Sequence, residues 1–124
     1  MDLRSIRFKA KRLDNGEWVE GNLRTSKSGN AMIIPIEYSG AYPVEPTTVC
    51  QFTGMKDCGG KELFENDIIH FVGHKPIGEV IWSEENYAFM VASENEALYW
   101  LSDVQEIGKI EIVGNKFDRK EGEK

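Results

Sequence analysis

Ile6, Phe8 and Ala10 alternate with Arg7, Lys9 and Lys11 at the start of the chain, the period-two pattern of a strand with one apolar and one solvated face. Asp14-Asn15-Gly16 follows, and then Trp18, Val19 and Leu23, so the segment reads as a β-hairpin whose turn residues tolerate positive φ. Ser28-Gly29-Asn30 marks the next turn. Ala31 to Ile36 is an apolar run whose Pro35 lacks the N–H a central ladder needs, which predicts a short or edge strand. Residues 37–46, with two prolines, one glycine and two tyrosines, read as the connection to the second part. There Val49 to Thr53 is extended, and Gly54, Asp57, Gly59 and Gly60 supply a reversing loop with Leu63 and Phe64 plugging the core behind it.

Ile68 to Val72 is apolar on both faces, as expected of a strand with no open side. The carboxylate of Asp67 precedes it, placed to accept backbone N–H groups of the turn. His74 to Gly78 turns the chain, Glu79 to Trp82 returns as a strand, Glu84-Glu85-Asn86 turns again, and Tyr87, Phe89 and Val91 alternate along a third strand. Ala97 to Leu101 is short and apolar. Ser102 is an N-cap candidate for a single helical turn, Asp103 to Glu106. Ile110 and Ile112 oppose Lys109 and Glu111 in a closing strand, and the chain ends in a flexible charged tail, 119–124. The pattern predicts a mainly β chain with at most one short helix: one compact domain over 1–118, built of an N-terminal β-hairpin and meander (1–45) and a small barrel (46–118). Ile68, Phe71 and Trp82 are expected core, as are most of Trp18, Tyr87, Phe89, Tyr99 and Trp100. No internal repeat or low-complexity segment interrupts the chain.

The stretch TVCQFTGMKDCGGKELFENDIIHF, Thr48 to Phe71, resembles the YopX family of phage and prophage proteins. The matching residues are Pro46, Thr48, Val49, Gln51, Phe52, Thr53, Gly54, Lys56, Asp57, Gly60, Lys61, Glu62, Phe64, Glu65, Asp67 and Ile68. A second, shorter match covers Ile112, Val113, Gly114 and Asn115. The resemblance implies an SH3-like barrel for the second part, a phage or prophage setting, and a structural motif in Gly54, Asp57, Gly60, Lys61, Glu62, Asp67, Gly114 and Asn115. It implies no reaction. Cys50 and Asn66 stand where the family more often has glycine, and Lys11 where it often has tryptophan; of the first two, Asn66 tolerates positive φ better.

At 124 residues with 40% hydrophobic residues, the chain has enough apolar surface for a core. No apolar run approaches the ~18 residues of a membrane span and the N-terminus lacks a signal-peptide pattern, so the expected compartment is the cytoplasm, where Cys50 and Cys58 stay free thiols. The net charge of −6 disfavours generic binding to phosphate backbones. The charge is unevenly spread. Residues 1–30 hold seven basic and four acidic side chains, whereas between Lys75 and Lys109 there is no basic residue and Glu79, Glu84, Glu85, Glu94, Glu96, Asp103 and Glu106 all fall there.

Candidate chemistry is sparse. Cys50, Cys58, His70 and His74 faintly echo a zinc finger, but seven residues separate the cysteines and His70 sits in a strand pattern. Cys58 with His70 or His74 and Asp57 or Asp67 is the one nucleophilic set, and no protease signature surrounds it. Glu62 with Glu65 and Glu84 with Glu85 read as solvated acids. Gly54 to Gly60 lacks the GK[ST] ending of a phosphate loop. No catalytic, cofactor or metal site is therefore expected. The expected interaction face is Arg4, Arg7, Lys9, Lys11 and Arg12. The reading is a non-enzymatic interaction module that binds a phage or host protein or self-assembles head to tail, the basic strand of one copy meeting the acidic interval of another. The alternative is a nucleic-acid-binding small β-barrel, with the aromatics as a stacking platform.

Overall fold

The computed structural model describes residues 6–35, 40–74, 76–93 and 97–118. The chain is mainly β, with two antiparallel sheets and one short helix. It divides into two compact units, the first ending at Gly54 and the second beginning at Met55.

In the first unit β1 (Phe8–Lys11) pairs with β2 (Trp18–Thr25), Ala10 opposite Val19. The turn between them is held by the Arg12 N–H donating to the Glu17 carbonyl at 2.9 Å, with Gly16 at φ +71°. β2 pairs next with β3 (Ala31–Ile34), and β3 with β4 (Tyr42–Val44). The strand before Pro35 is thus short, as the missing N–H predicts, but interior. Residues 37–46 are more than a connection, because β4 forms within them. Pro43 is tolerated there since β4 is the last strand on its side.

β5 (Cys50–Lys56) flanks β1 on its other side, Phe8 opposite Gln51. The end of β4 also returns to the end of β1: Leu13 donates to the Pro43 carbonyl at 3.0 Å and Glu45 to the Lys11 carbonyl at 2.8 Å. Ala10, Ala31, Ile33 and Val44 are buried together, with Phe8, Val19, Leu23 and Val49 packed on them. Phe8 and Ala10 are the inward half of the alternation read at the start of the chain, Ala31 and Ile33 come from the apolar run before Pro35, and Val44 comes from the stretch read as a connection.

In the second unit the end of β5 turns back as β6 (Glu62–Phe64). A five-stranded sheet follows, built of β7 (Asp67–Phe71), β8 (Pro76–Ser83), β9 (Ala88–Ala92), β10 (Leu98–Trp100) and β11 (Ile110–Asn115) in the order β10-β9-β8-β7-β11. Neither sheet closes on itself. Leu63, Ile69, Val80, Val91, Leu101, Val104 and Ile110 form the core, and Phe64 is buried as expected.

The helix α1 (Leu101–Ile107) begins before the expected cap: Trp100 is its N-cap and makes no side-chain capping bond, while Ser102 lies exposed in the first turn. Burial of Leu101 and Val104, three apart on one helix face, outweighs the capping preference of a serine. Nor is β7 enclosed on both faces: Ile69 is buried, but Ile68 and Phe71 are only half-buried. Trp82 shares the inward face of Val80 but lies near the strand end, where it is 42% exposed and packs edge-to-face on Phe89 at 5.1 Å. Asn66 has φ +74°, the conformation its substitution for glycine requires, whereas Cys50 lies in β5 without one. No helix among the described residues is long and apolar enough to cross a membrane. The tail, 119–124, lies outside the described residues.

Candidate interaction faces

Four of the five basic residues expected to form an interaction face are described; Arg4 is not. Their charged groups are laid on rings of the same unit. The Arg7 guanidinium sits 4.4 Å from the Phe52 ring centre and donates to Glu20 at 2.7 Å. The Lys9 and Lys11 ammonium groups stand 4.6 and 5.3 Å from the ring of Trp18, which lies opposite Lys11 across the β1/β2 pair. Arg12 grips Asp14 with two hydrogen bonds, Nε to Oδ1 at 2.9 Å and Nη2 to Oδ2 at 2.6 Å, and lies 4.2 Å from the Tyr42 ring. This bidentate bond holds the Asp14 carboxyl below its usual value and Arg12 above its own. All four side chains are half-buried. The cation–ring contacts of Arg7, Lys9 and Lys11 are each worth ~0.5–1 kcal/mol near the surface. A stripe that alternation alone displays outward is therefore folded onto its own aromatics.

The family-motif residues meet around two carboxylates. Asp57 Oδ1 accepts the N–H groups of Gly59 and Lys61, both at 2.9 Å, and Oδ2 accepts that of Ile112 at 3.1 Å. Burial pushes the Asp57 carboxyl up, but the three N–H donors outweigh it and hold the group below its usual value. Gly60 closes the same loop at φ +85°, and Gly54 stands at φ +89° before it.

Asp67 Oδ2 accepts the Phe64 N–H at 2.7 Å, the contact its place before β7 predicts, and Oδ1 accepts Asn115 Nδ2 at 2.9 Å. Asn115 Oδ1 in turn accepts the Phe117 N–H. Gly114 adjoins the register shift in β11, opposite Ile68. Glu62 opens β6, and the Lys61 carbonyl accepts the Asp57 N–H. The two stretches that carry the family resemblance are thus joined in space.

The groups weighed for chemistry are held elsewhere. Cys50 is buried, its thiol donating to the Thr48 carbonyl, and Cys58 is exposed; both are free. His70 bonds the Glu111 carboxylate through Nε2 at 2.8 Å and the His74 carbonyl through Nδ1 at 2.9 Å. The Glu111 bond raises the His70 pKa above its usual 6.5. His70 and the two aspartates are thus each engaged by other partners. Among the described residues no group of three or more His, Cys, Asp or Glu side chains is arranged to hold a metal ion.

The aromatics expected in the core are largely outside it. Trp82, Tyr87, Tyr99 and Trp100 are exposed, as is Leu98. β10 is the last strand of its sheet, and all three of its residues, Leu98, Tyr99 and Trp100, face solvent in part. Position at a sheet edge cannot be read from hydrophobicity, so residue type alone misassigned them. The sequence interval that contains β10 is acidic: residues 76–108 hold seven carboxylates and no Lys, Arg or His.

Two antiparallel sheets whose signature carboxylates brace turns define a small all-β protein. The family model described as YopX protein matches residues 7–121, and the chain belongs to the YopX family. No curated protein matches it.

Proposed function

We propose that this protein is a non-enzymatic protein-interaction module and that its binding face is the aromatic edge of the second sheet. The observation that carries this reading is the exposure of Trp100 and Tyr99, each 44% accessible, beside Leu98 on an edge strand. Contiguous exposed apolar patches mark interaction sites, and Tyr and Trp are enriched in interfaces. The seven carboxylates of the same interval make the fitting partner a basic polypeptide, of phage or host origin. We also read the second unit as an SH3-like small barrel. Five antiparallel strands, the first pairing with both the second and the last, and a helical turn before the last, support that reading.

Self-assembly through the basic strand is less well supported, because β1 lies between β2 and β5 and its described cations rest on rings of their own unit. The nucleic-acid alternative draws on the exposed aromatics. A stacking platform for single strands needs cations beside the rings to track the backbone, and here carboxylates surround them in sequence.

A nine-residue peptide alternating lysine and valine tests the proposal, with an alternating glutamate and valine peptide as its control. The expected result is saturable perturbation of the amide resonances of residues 98–100 by the basic peptide only, weakened by salt and by Trp100→Ala. Equal binding of the acidic peptide, or perturbation confined to other surfaces, would overturn the assignment of this face. Saturable binding of a deoxythymidine oligonucleotide at low salt would put the nucleic-acid reading first.

A further inference from the structure

The second unit carries a groove of about 590 Å³ lined by Phe71, Val72, His74, Ile107, Gly108 and Lys109. Its volume falls within the range of small-molecule sites, which combine apolar walls with a few polar groups. Two of the apolar residues are well exposed, Val72 at 50% and Ile107 at 75%. Gly108 runs against the Phe71 ring, where a Cβ would stand 3.0 Å from Cδ1 and 3.2 Å from Cε1 and press on the aromatic floor.

The walls are built rather than incidental. Val72 donates its N–H to the Lys109 carbonyl at 3.0 Å, tying the exit of β7 to the entry of β11. His74 donates its N–H to the Phe71 carbonyl at 2.9 Å, and its own carbonyl is held by the His70 ring. His70 is in turn fixed by Glu111. Among the described residues no carboxylate pairs with the Lys109 ammonium, and Lys109 is the first basic residue after Lys75. The neighbouring carboxylate, Glu111, is spent on His70.

From this geometry we infer that the groove is a binding site for a small molecule with an apolar body and one carboxylate, the body lying between Phe71, Val72 and Ile107 and the carboxylate pairing with Lys109. The apolar walls supply affinity without charge, and the ammonium of Lys109, a lining residue, selects an anion. This site is independent of the aromatic edge and does not rest on the interaction reading.

The test is a titration of the full chain with 2-naphthoate, followed through amide resonances, with 2-naphthalenemethanol as the neutral probe of similar shape. Saturable shifts at residues 71–74 and 107–109 are expected for the carboxylate. Lys109→Gln, at an exposed position, is expected to weaken it at least about fivefold while leaving the alcohol unchanged, and Ile107→Ser to weaken both. Absence of saturation up to the solubility limit, or equal affinity of carboxylate and alcohol, would overturn the inference. So would an unaltered response in Lys109→Gln. Tighter binding of a short peptide with a free C-terminal leucine would also overturn it, by making a polypeptide end the occupant.

Discussion

Asn115 donates from Nδ2 to Asp67 Oδ1 at 2.9 Å, a buried bond between side chains 48 residues apart. It joins the last residue of β11 to the first of β7, which the register sets opposite one another. The other Asp67 oxygen holds the Phe64 N–H, so one carboxylate fixes the turn before β7 and the strand that pairs with it. Asn115→Ala leaves the buried Asp67 short of a donor and is expected to cost ~1–3 kcal/mol. Asn115→Asp adds a second carboxylate at the same place and is expected to cost more. Urea unfolding followed by tryptophan fluorescence measures both; a loss in Asn115→Ala no larger than that of an exposed site would show that the bond is not structural.

Asp57 makes stability depend on acid in a defined direction. Its folded carboxyl lies below the usual 3.8, so the unfolded chain binds the proton more readily. Its contribution is present above about pH 4 and is lost as pH falls through the folded value. Asp57→Asn is expected to cost ~1–3 kcal/mol near neutrality and progressively less below pH 4. Urea midpoints measured from pH 2 to 7 for both proteins should therefore converge in acid; parallel curves would contradict the assignment.

His70 acts in the opposite sense. Its pKa is raised by Glu111 above 6.5, so the stabilising effect of the pair is present below that value and fades as pH rises through the folded pKa. Titration of the His70 ring by proton resonance should give a value above 6.5 that falls in Glu111→Gln. An unchanged titration in that variant would mean that the ion pair does not form in solution.

Gly78 lies in β8 where an added Cβ would overlap the Ala92 carbonyl oxygen and press on the Ser93 backbone. Because the obstacle is main chain, a side chain cannot swing aside to relieve it. Gly78→Ala is expected to cost ~1–3 kcal/mol or more, whereas Gly114→Ala, which meets nothing within 4 Å, should stay within ~1 kcal/mol. Equal losses at the two sites, measured by chemical unfolding, would remove the close approach as the cause.

Ile69 and Trp82 separate the real core from the apparent one. Ile69 is fully buried among Leu63, Val80 and Val91, and Ile69→Ala is expected to cost ~2–5 kcal/mol. Trp82→Ala should cost less, since much of the ring already contacts water. A larger loss at Trp82 would return it to the core, as its residue type suggests.

Period-two alternation identified β1, β9 and β11, and short apolar or extended runs bounded by turn residues identified most of the other strands. The turns at Gly16 and Gly60 were legible because those positions need a positive φ that few residues adopt, and Asp67 could be placed at its turn because a carboxylate before a strand has local N–H partners. The family resemblance likewise rests on this local vocabulary of glycines, aspartates and plugging apolar residues, and the match over residues 7–121 bears it out. What sequence alone could not assign were properties that depend on neighbours distant in the chain. Alternation points Lys9 and Lys11 outward but does not reveal that Trp18 lies beneath them. The start of α1 follows burial of Leu101 and Val104 rather than the serine nearby. Whether Tyr99 and Trp100 are core or surface depends on β10 being the last strand of its sheet, which is a matter of strand order. The chain's local chemistry determined its strands, turns and family; tertiary structure decided which faces stayed exposed, because burial is set by packing between segments and not by residue type.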